Sequence, residues 1–294
     1  MTEPHIAGAH STVGEPEVVV GGSADEVSAL AAQRIVDALG AAITARGRAD
    51  FATTGGSTPV GIYKVLSERL RGAIDWGQVQ FWWGDDRFVP RDHPLSNVLA
   101  LDSILLAETQ FAGQSGNQFW ATDVEEGREP GLVVPVEHVH PFPCAEAIGR
   151  NEGPDWCAAQ YADELQRSGI AVERGFPVFD LVLLGLGRDG HLMSIFPGSD
   201  AFDRTGWALD IPAPTHVEPH VARVTLHPAV LGVARSILMV TGGAAKADVV
   251  GRIFTTDRDV RALPAQLVRH MRATWLLDRE AAAKLPAALA AGRD

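Results

Sequence analysis

The residues best suited to chemistry are Asp189 and His191, which end the run Phe179-Asp180-Leu181-Val182-Leu183-Leu184-Gly185-Leu186-Gly187-Arg188-Asp189-Gly190-His191. Imidazole is the side chain whose ordinary pKa suits proton transfer near neutral pH. A carboxylate two positions away is close enough to contact the ring and favour one tautomer. The pair points to general acid–base chemistry, with His191 moving the proton and Asp189 orienting the ring. A lone histidine in a loop is more often structural. The weight here falls on the setting, an apolar run that breaks into a glycine-rich turn.

Anion-binding groups occur elsewhere. Gly55-Gly56-Ser57-Thr58-Pro59 lies between an apolar stretch and a helical one. Glycines let backbone approach a ligand, N–H groups at a helix start attract anions, and Ser57 and Thr58 add hydroxyls. Pro59 is tolerated in a first helical turn. A tight strand-to-helix connection would look the same. In Gly84-Asp85-Asp86-Arg87, Arg87 can clamp a phosphate through two N–H groups, and Asp85 or Asp86 can bind sugar hydroxyls or assist proton transfer. A solvated turn with a surface ion pair is the plainer account of those four residues. Arg223, in Val221-Ala222-Arg223-Val224-Thr225-Leu226, and Lys246, after Thr241-Gly242-Gly243-Ala244-Ala245, each stand beside a strand end or a glycine turn.

These residues need a scaffold. The uncharged run at 181–184 suits a strand buried on both faces of a parallel sheet, and ligands in such sheets bind beyond the carboxyl ends of the strands. Further strands are expected at 17–20, 50–54, 79–83, 222–226, 236–241 and 274–277. Helices are expected at 24–46 with Ser23 as N-cap, from Thr58 toward Leu70, at 97–107, at 155–166, and from about Ala244 and Arg279. Strand and helix alternate, which predicts an α/β fold: an open, mostly parallel sheet with helices on both faces. Residues 1–15 read as a flexible tail and 16–294 as one α/β domain. Residues 112–143, rich in Gly, Pro, Gln and acidic groups, read as an irregular surface excursion.

Composition narrows the function. The 294 residues are 46% hydrophobic and 21% charged, as ordinary globular chains are. A formal net charge of −12 argues against nucleic acid and anionic membranes as partners, and leaves room for a small basic pocket. Two cysteines, Cys144 and Cys157, are too few for a disulfide framework or a thiolate metal site. No His or Cys spacing suggests a metal, and His138, His140 and His220 read as surface or loop residues. The N-terminus does not read as a signal peptide, and no run stands out as membrane-spanning. A reducing cytoplasm is the expected compartment.

Gly185-Leu186-Gly187-Arg188-Asp189-Gly190 also fits the dinucleotide pattern G-x-G-x-x-G, with Asp210 near the distance of a ribose-binding acid. Pro197 and Gly198 interrupt the helix that such a site needs. Pro212 and Pro214 break the stretch that should carry Asp210 as a strand. No nucleotide, and no cofactor at all, is expected.

Taken in order, the motifs resemble the 6-phosphogluconolactonase family, part of a larger group shared with glucosamine-6-phosphate deaminases. The resemblance is carried by Thr54-Gly55-Gly56-Ser57-Thr58-Pro59, Trp83-Gly84-Asp85-Asp86-Arg87-Phe88-Val89-Pro90 with Ser96-Asn97, and Phe179 through Gly187. It continues through Asp189-Gly190-His191, Ser194-Ile195-Phe196-Pro197-Gly198, Arg223-Val224-Thr225-Leu226, Gly242-Gly243 with Lys246, and Leu263-Pro264-Ala265. It implies an open, Rossmann-like α/β sheet of the sugar-phosphate isomerase type. The implied activity is metal-free hydrolysis of 6-phospho-D-glucono-1,5-lactone in the pentose phosphate pathway. His191 falls on the family's catalytic histidine. Gly55, Gly56, Ser57, Arg87, Arg223 and Lys246 fall on positions lining the sugar-phosphate site, and Thr58 and Asp85 join them as candidates. Asp189 is the candidate partner of His191. The oxyanion is expected at backbone N–H groups of the 185–190 turn, or at a nearby cation.

Ser194-Ile195-Phe196-Pro197-Gly198 resembles the lactonase branch, since deaminases carry Asn-Glu-Pro after a phenylalanine there. A deaminase and a non-catalytic sugar-phosphate sensor are the alternatives. A sensor coupled to DNA would need a basic helix-turn-helix segment, and residues 1–15 are too short and acidic for one. The chain departs from the lactonase pattern at Asp86, usually Glu, at Arg188, usually Pro, and at Leu192-Met193-Ser194-Ile195, usually Thr-Ala-Ser-Leu. The expected partner is a small sugar-phosphate lactone, and the expected state a monomer or small homo-oligomer.

Overall fold

The computed structural model describes residues 14–106, 134–270 and 272–290. Twelve strands occur among them: β1 (Glu17–Gly21), β2 (Ala49–Thr53), β3 (Val79–Trp83), β4 (Asp85–Arg87), β5 (Val139–His140), β6 (Val172–Glu173), β7 (Phe176–Pro177), β8 (Leu181–Leu184), β9 (Ala208–Ile211), β10 (Arg223–Leu226), β11 (Ile237–Thr241) and β12 (Ala273–Asp278). The helices are α1 (Ala24–Arg46), α2 (Thr58–Arg69), α3 (Leu99–Ile104), α4 (Cys144–Gly149), α5 (Pro154–Arg167), α6 (Val230–Val233), α7 (Ala247–Thr255) and α8 (Ala287–Ala290).

Seven strands form the main sheet in the order β1-β12-β11-β8-β2-β3-β5, and every pairing is parallel. Every residue of β2, β3, β8 and β11 is buried. Successive strand residues point to opposite faces, so both faces are covered. From β2 the chain steps outward to β3. From β8 it steps the other way to β11 and β12. The direction reverses between β2 and β8, the crevice where such sheets bind ligands.

The longest helix starts and stops on local signals. The Ser23 side chain accepts from the Glu26 N–H, and Gly47 ends α1 at φ 71 with its N–H on the Ile43 carbonyl. A cap of the Ser23 kind is worth about 1 kcal/mol. By length and composition α1 is apolar enough to cross a bilayer, with a hydropathy of 1.2. Ala31, Ala32, Ile35 and Leu39 are nevertheless fully buried, and α1 packs on β1, β2, β8, β11 and β12. It is a core helix of the sheet.

Several elements differ from the sequence expectation. Asp85–Arg87 is a strand and not a turn. It pairs antiparallel with β10, which pairs in turn with β9. The strand expected at 222–226 therefore belongs to a separate three-stranded sheet, and Asp210 does lie on a strand. The helix expected at 97–107 is only Leu99–Ile104, because Asn97 is held by β4 instead. The helix expected from Ala244 opens with a 3₁₀ turn and becomes α7 at Ala247, and Arg279 leads into the 3₁₀ turn Ala281–Lys284. Most of the 112–143 excursion and of the 1–15 tail lies outside the described residues. The end of the excursion returns to the sheet as β5, where His140 stacks on Trp82 at 3.9 Å and bonds Glu164 and Gln80.

Candidate active site

Four strands of the main sheet end at one cleft. The turn after β2 delivers Gly55 to Thr58, the segment after β3 delivers Asp85 and Arg87, the turn after β8 delivers Asp189 and His191, and the turn after β11 delivers Lys246. With Arg223 from β10, they line a cavity of about 740 Å³. Every site residue expected from the sequence is brought there. The β2 and β8 turns touch: a Cβ built on Gly185 would meet Thr58 Oγ1 at 3.3 Å.

The 185–191 turn is closed on itself. Gly187 N–H donates to the His191 carbonyl at 2.9 Å, and Gly190 N–H to the Gly187 carbonyl at 3.1 Å. Gly190 has φ 92, a left-handed conformation that favours glycine. Two of the amides expected to hold an oxyanion are therefore already committed. His191 Nδ1 meets Asp189 Oδ1 at 2.6 Å, and the same oxygen accepts the His191 backbone N–H at 3.1 Å. Burial pushes the Asp189 carboxyl up, but the hydrogen bonds and charge of His191, helped by His216, hold it well below the usual carboxylate range. An ionised Asp189 only accepts, so His191 Nδ1 carries the proton and Nε2 presents its lone pair. Phe196 packs 4.7 Å from the His191 ring.

The next turn, at Leu192 to Ile195, locks that geometry to β4. Met193 adopts φ 51, uncommon for a non-glycine, while Ser194 Oγ donates to Asp85 Oδ2 at 2.6 Å. Asn97 Nδ2 donates to the Asp85 carbonyl at 2.8 Å, and its backbone N–H to Asp86 Oδ1 at 2.7 Å. Asp86 is fully buried, and that burial pushes its carboxyl up to about 7 despite the Asn97 and Arg87 N–H groups. It braces the loop and does not line the cavity.

The cations are underused. Arg87 gives one N–H to the Leu95 carbonyl, and Arg223 gives one to the Pro219 carbonyl. Both Nε atoms, and Asn97 Oδ1, are buried without a partner among the described residues. Arg223 also lies 5.7 Å over the Phe196 ring. Lys246 Nζ donates to the Leu186 carbonyl, and burial, then Arg188, pulls its ammonium down. Ser57 sits at the α2 N-cap without a capping bond, leaving its hydroxyl for a ligand. The other edge of the sheet is the contrast. There Asp180 binds Arg46, Arg235 and the Asp50 N–H, and Asp50 binds Arg48 and Trp82 Nε1. Charges at one edge are satisfied, while Arg87 and Arg223 at the cleft keep Nε groups without a partner among the described residues.

Sequence reading missed His216, which lines the cleft and meets Asp189 Oδ2 at 3.1 Å. It also missed the bracing by Ser194 and the role of Asn97. Their partners lie too far along the chain for local spacing to show, although Ser96-Asn97 and Ser194 belong to recognisable motifs.

A sugar-phosphate-binding enzyme of the open α/β class accounts for this cleft. Residues 22–276 match the family described as glucosamine-6-phosphate isomerases/6-phosphogluconolactonase, and the chain belongs to that family. It is 32% identical to the 6-phosphogluconolactonase of Synechocystis sp. over 246 residues, 83% of this chain and 88% of that one. It is 30% identical to that of Mycobacterium tuberculosis over 263 residues, 89% and 95% of the two chains. The solved 6-phosphogluconolactonase from Trypanosoma cruzi superposes with a TM-score of 0.74 at 28% identity, covering 94% of this chain and 98% of that one.

Proposed function

We propose that this chain is an enzyme that hydrolyses 6-phospho-D-glucono-1,5-lactone to 6-phospho-D-gluconate in the pentose phosphate pathway, with His191 as the general base. The observation that carries the reading is the Asp189–His191 pair, at 2.6 Å, opening on a cleft lined by Arg87, Arg188, Arg223 and Lys246. Neutral His191 takes a proton from water at Nε2 as that water attacks C1. The resulting imidazolium returns the proton to the ring oxygen as the C1–O bond breaks. General base catalysis contributes about 10²–10⁴-fold.

The oxyanion at C1 needs a donor; with the amides of Gly187 and Gly190 committed, that donor is another N–H of the 185–190 turn or a nearby cation. Arg87, Arg223, Lys246 and the Gly55 to Thr58 turn grip the anionic groups and hold C1 against His191. Asp85, fixed by Ser194 and Asn97, meets the sugar hydroxyls. The lactonase branch is favoured over the deaminase branch by Ile195-Phe196-Pro197. The reading treats 16–294 as one unit, supported by the pairing of β1 with β12 from opposite ends of the chain. It takes the state to be a monomer or small homo-oligomer, with Arg87, Asp189, His191, Arg223 and Lys246 all supplied by one chain. It places the enzyme in the cytoplasm, in keeping with the free thiols of Cys144 and Cys157.

The test is hydrolysis of freshly generated lactone, read by a coupled 6-phosphogluconate dehydrogenase against the spontaneous rate. Acceleration over that background is expected. No acceleration, together with ammonia release from glucosamine 6-phosphate, would replace the lactonase reading with the deaminase one.

A further inference from the structure

Asp189 is shared between two histidines. Its Oδ1 accepts from His191 Nδ1 at 2.6 Å and its Oδ2 meets His216 Nε2 at 3.1 Å. His216 comes from the proline-rich segment between β9 and β10, which also supplies Val217 and Glu218 to the cleft wall. Both imidazoles rest on Phe196, His191 at 4.7 Å and His216 edge-on at 5.7 Å. We propose that His216 is a positioning residue for His191, acting through the Asp189 carboxylate that the two rings share.

The physical argument runs through Asp189. A carboxylate with one oxygen occupied can rotate about its terminal torsion. A donor on each oxygen fixes that torsion and so fixes the plane in which His191 is held. Because Asp189 is ionised, His216 must present its Nε2–H to it. That donor draws negative charge away from the oxygen facing His191. Losing it leaves Asp189 a stronger partner for a protonated His191, which raises the pH at which His191 loses its proton. The other charges around the group are Arg188 beside it in the chain, Lys246 on the turn after β11, Arg223 across Phe196, and Glu218 on the His216 segment. The His216 hydrogen bond goes to Asp189 and to none of these charges. The His216 side chain is 51% exposed, so its replacement leaves the core intact.

The proposal rests on His191 being the base, so its test reads His191 directly. The imidazole signals of His191 would be titrated by NMR in wild type, His216→Ala and His216→Gln, with pH profiles of kcat/KM recorded alongside. Glutamine keeps an N–H donor at similar reach. In His216→Ala the His191 titration and the acid limb of kcat/KM should move up by about half a pH unit, a roughly threefold loss of neutral His191 below the limb. KM should stay near that of wild type, and His216→Gln should bring both curves back. An unchanged His191 titration in His216→Ala would overturn the proposal. A shifted titration with an unshifted kcat/KM limb would support the positioning role and remove His191 as the base.

Discussion

Arg87 and Arg223 stand directly opposite each other across the β4–β10 ladder. Like charges in that position destabilise a sheet, by roughly 0.2–1 kcal/mol on exposed ladders. Here Arg223 is almost completely buried, and burial, then Arg87, pulls its guanidinium down against the attraction of Asp85. Both keep a buried Nε without a partner among the described residues. Two repelling, underbonded cations at the end of a strand make sense when an anion sits between them.

Arg223→Gln should therefore weaken ligand binding more than it disturbs the fold. A lost hydrogen bond to a charged group is worth about 1.5–3 kcal/mol, so KM should rise about ten- to a hundredfold. The ligand-free variant should melt no lower than wild type. Thermal melts with 6-phosphogluconate provide the check. At a concentration 100 times its Kd the ligand stabilises wild type by about 2.7 kcal/mol, and the variant at that same concentration should show only about 0.4–1.4 kcal/mol. Equal shifts in both proteins would take Arg223 out of the anion site.

Gly187→Ala should silence the enzyme while leaving it folded. A Cβ there would lie 2.1 Å from His191 Nδ1 and 2.6 Å from Asp189 Oδ1, so the pair must separate. A drop in kcat approaching that of His191→Ala is expected, with KM little changed. Gly47→Ala is the control, because its Cβ meets nothing within 4 Å and it ends α1 outside the cleft. Its φ of 71 costs only about 1–2 kcal/mol in stability.

What was legible in the sequence follows from how far each contact reaches. The turns after β8 and β11 are visible because strands buried on both faces leave uncharged runs that stop at glycines, and the turn after β2 because Gly55-Gly56-Ser57-Thr58-Pro59 marks it despite Asp50 in the strand. The small sheet is not. Asp85-Asp86-Arg87 has no apolar alternation, and it becomes a strand only because β10 pairs with it and Ser96 and Asn97 satisfy its carboxylates. Two-residue β5 carries no periodicity at all. His216 looked like a loop histidine because the carboxylate it serves lies 27 residues earlier in the chain.

Asp86→Asn should stabilise the protein at alkaline pH and not in acid. The Asp86 carboxyl is raised to about 7 by burial, so between about 4 and 7 the folded state binds more protons than the unfolded one. Stability from this group is greatest below the unfolded value and falls as pH rises through 7. Asparagine keeps an acceptor for the Asn97 and Arg87 N–H groups without the charge. At about 1.4 kcal/mol per unit, the gain at pH 8 could reach about 4 kcal/mol. Denaturant melts at pH 5 and pH 8 measure it, and an equal effect at both would contradict the burial argument.

Asp189 carries the opposite sign. Its carboxyl is held below the usual range, so its contribution is present above the unfolded value near 4 and is lost as pH falls through the folded one. Asp189→Asn should cost stability at pH 7, with the gap to wild type closing on acidification. It should also cut kcat, since an amide can no longer fix the His191 tautomer. A gap independent of pH would show that Asp189 serves packing alone.

The central claim is that neutral His191 takes the proton from water. The most direct measurement is steady-state turnover of freshly generated 6-phosphogluconolactone by wild type and His191→Ala, corrected for spontaneous hydrolysis. The account predicts kcat lower by about 10²–10⁴-fold with KM nearly unchanged. A variant with near-normal kcat would contradict it.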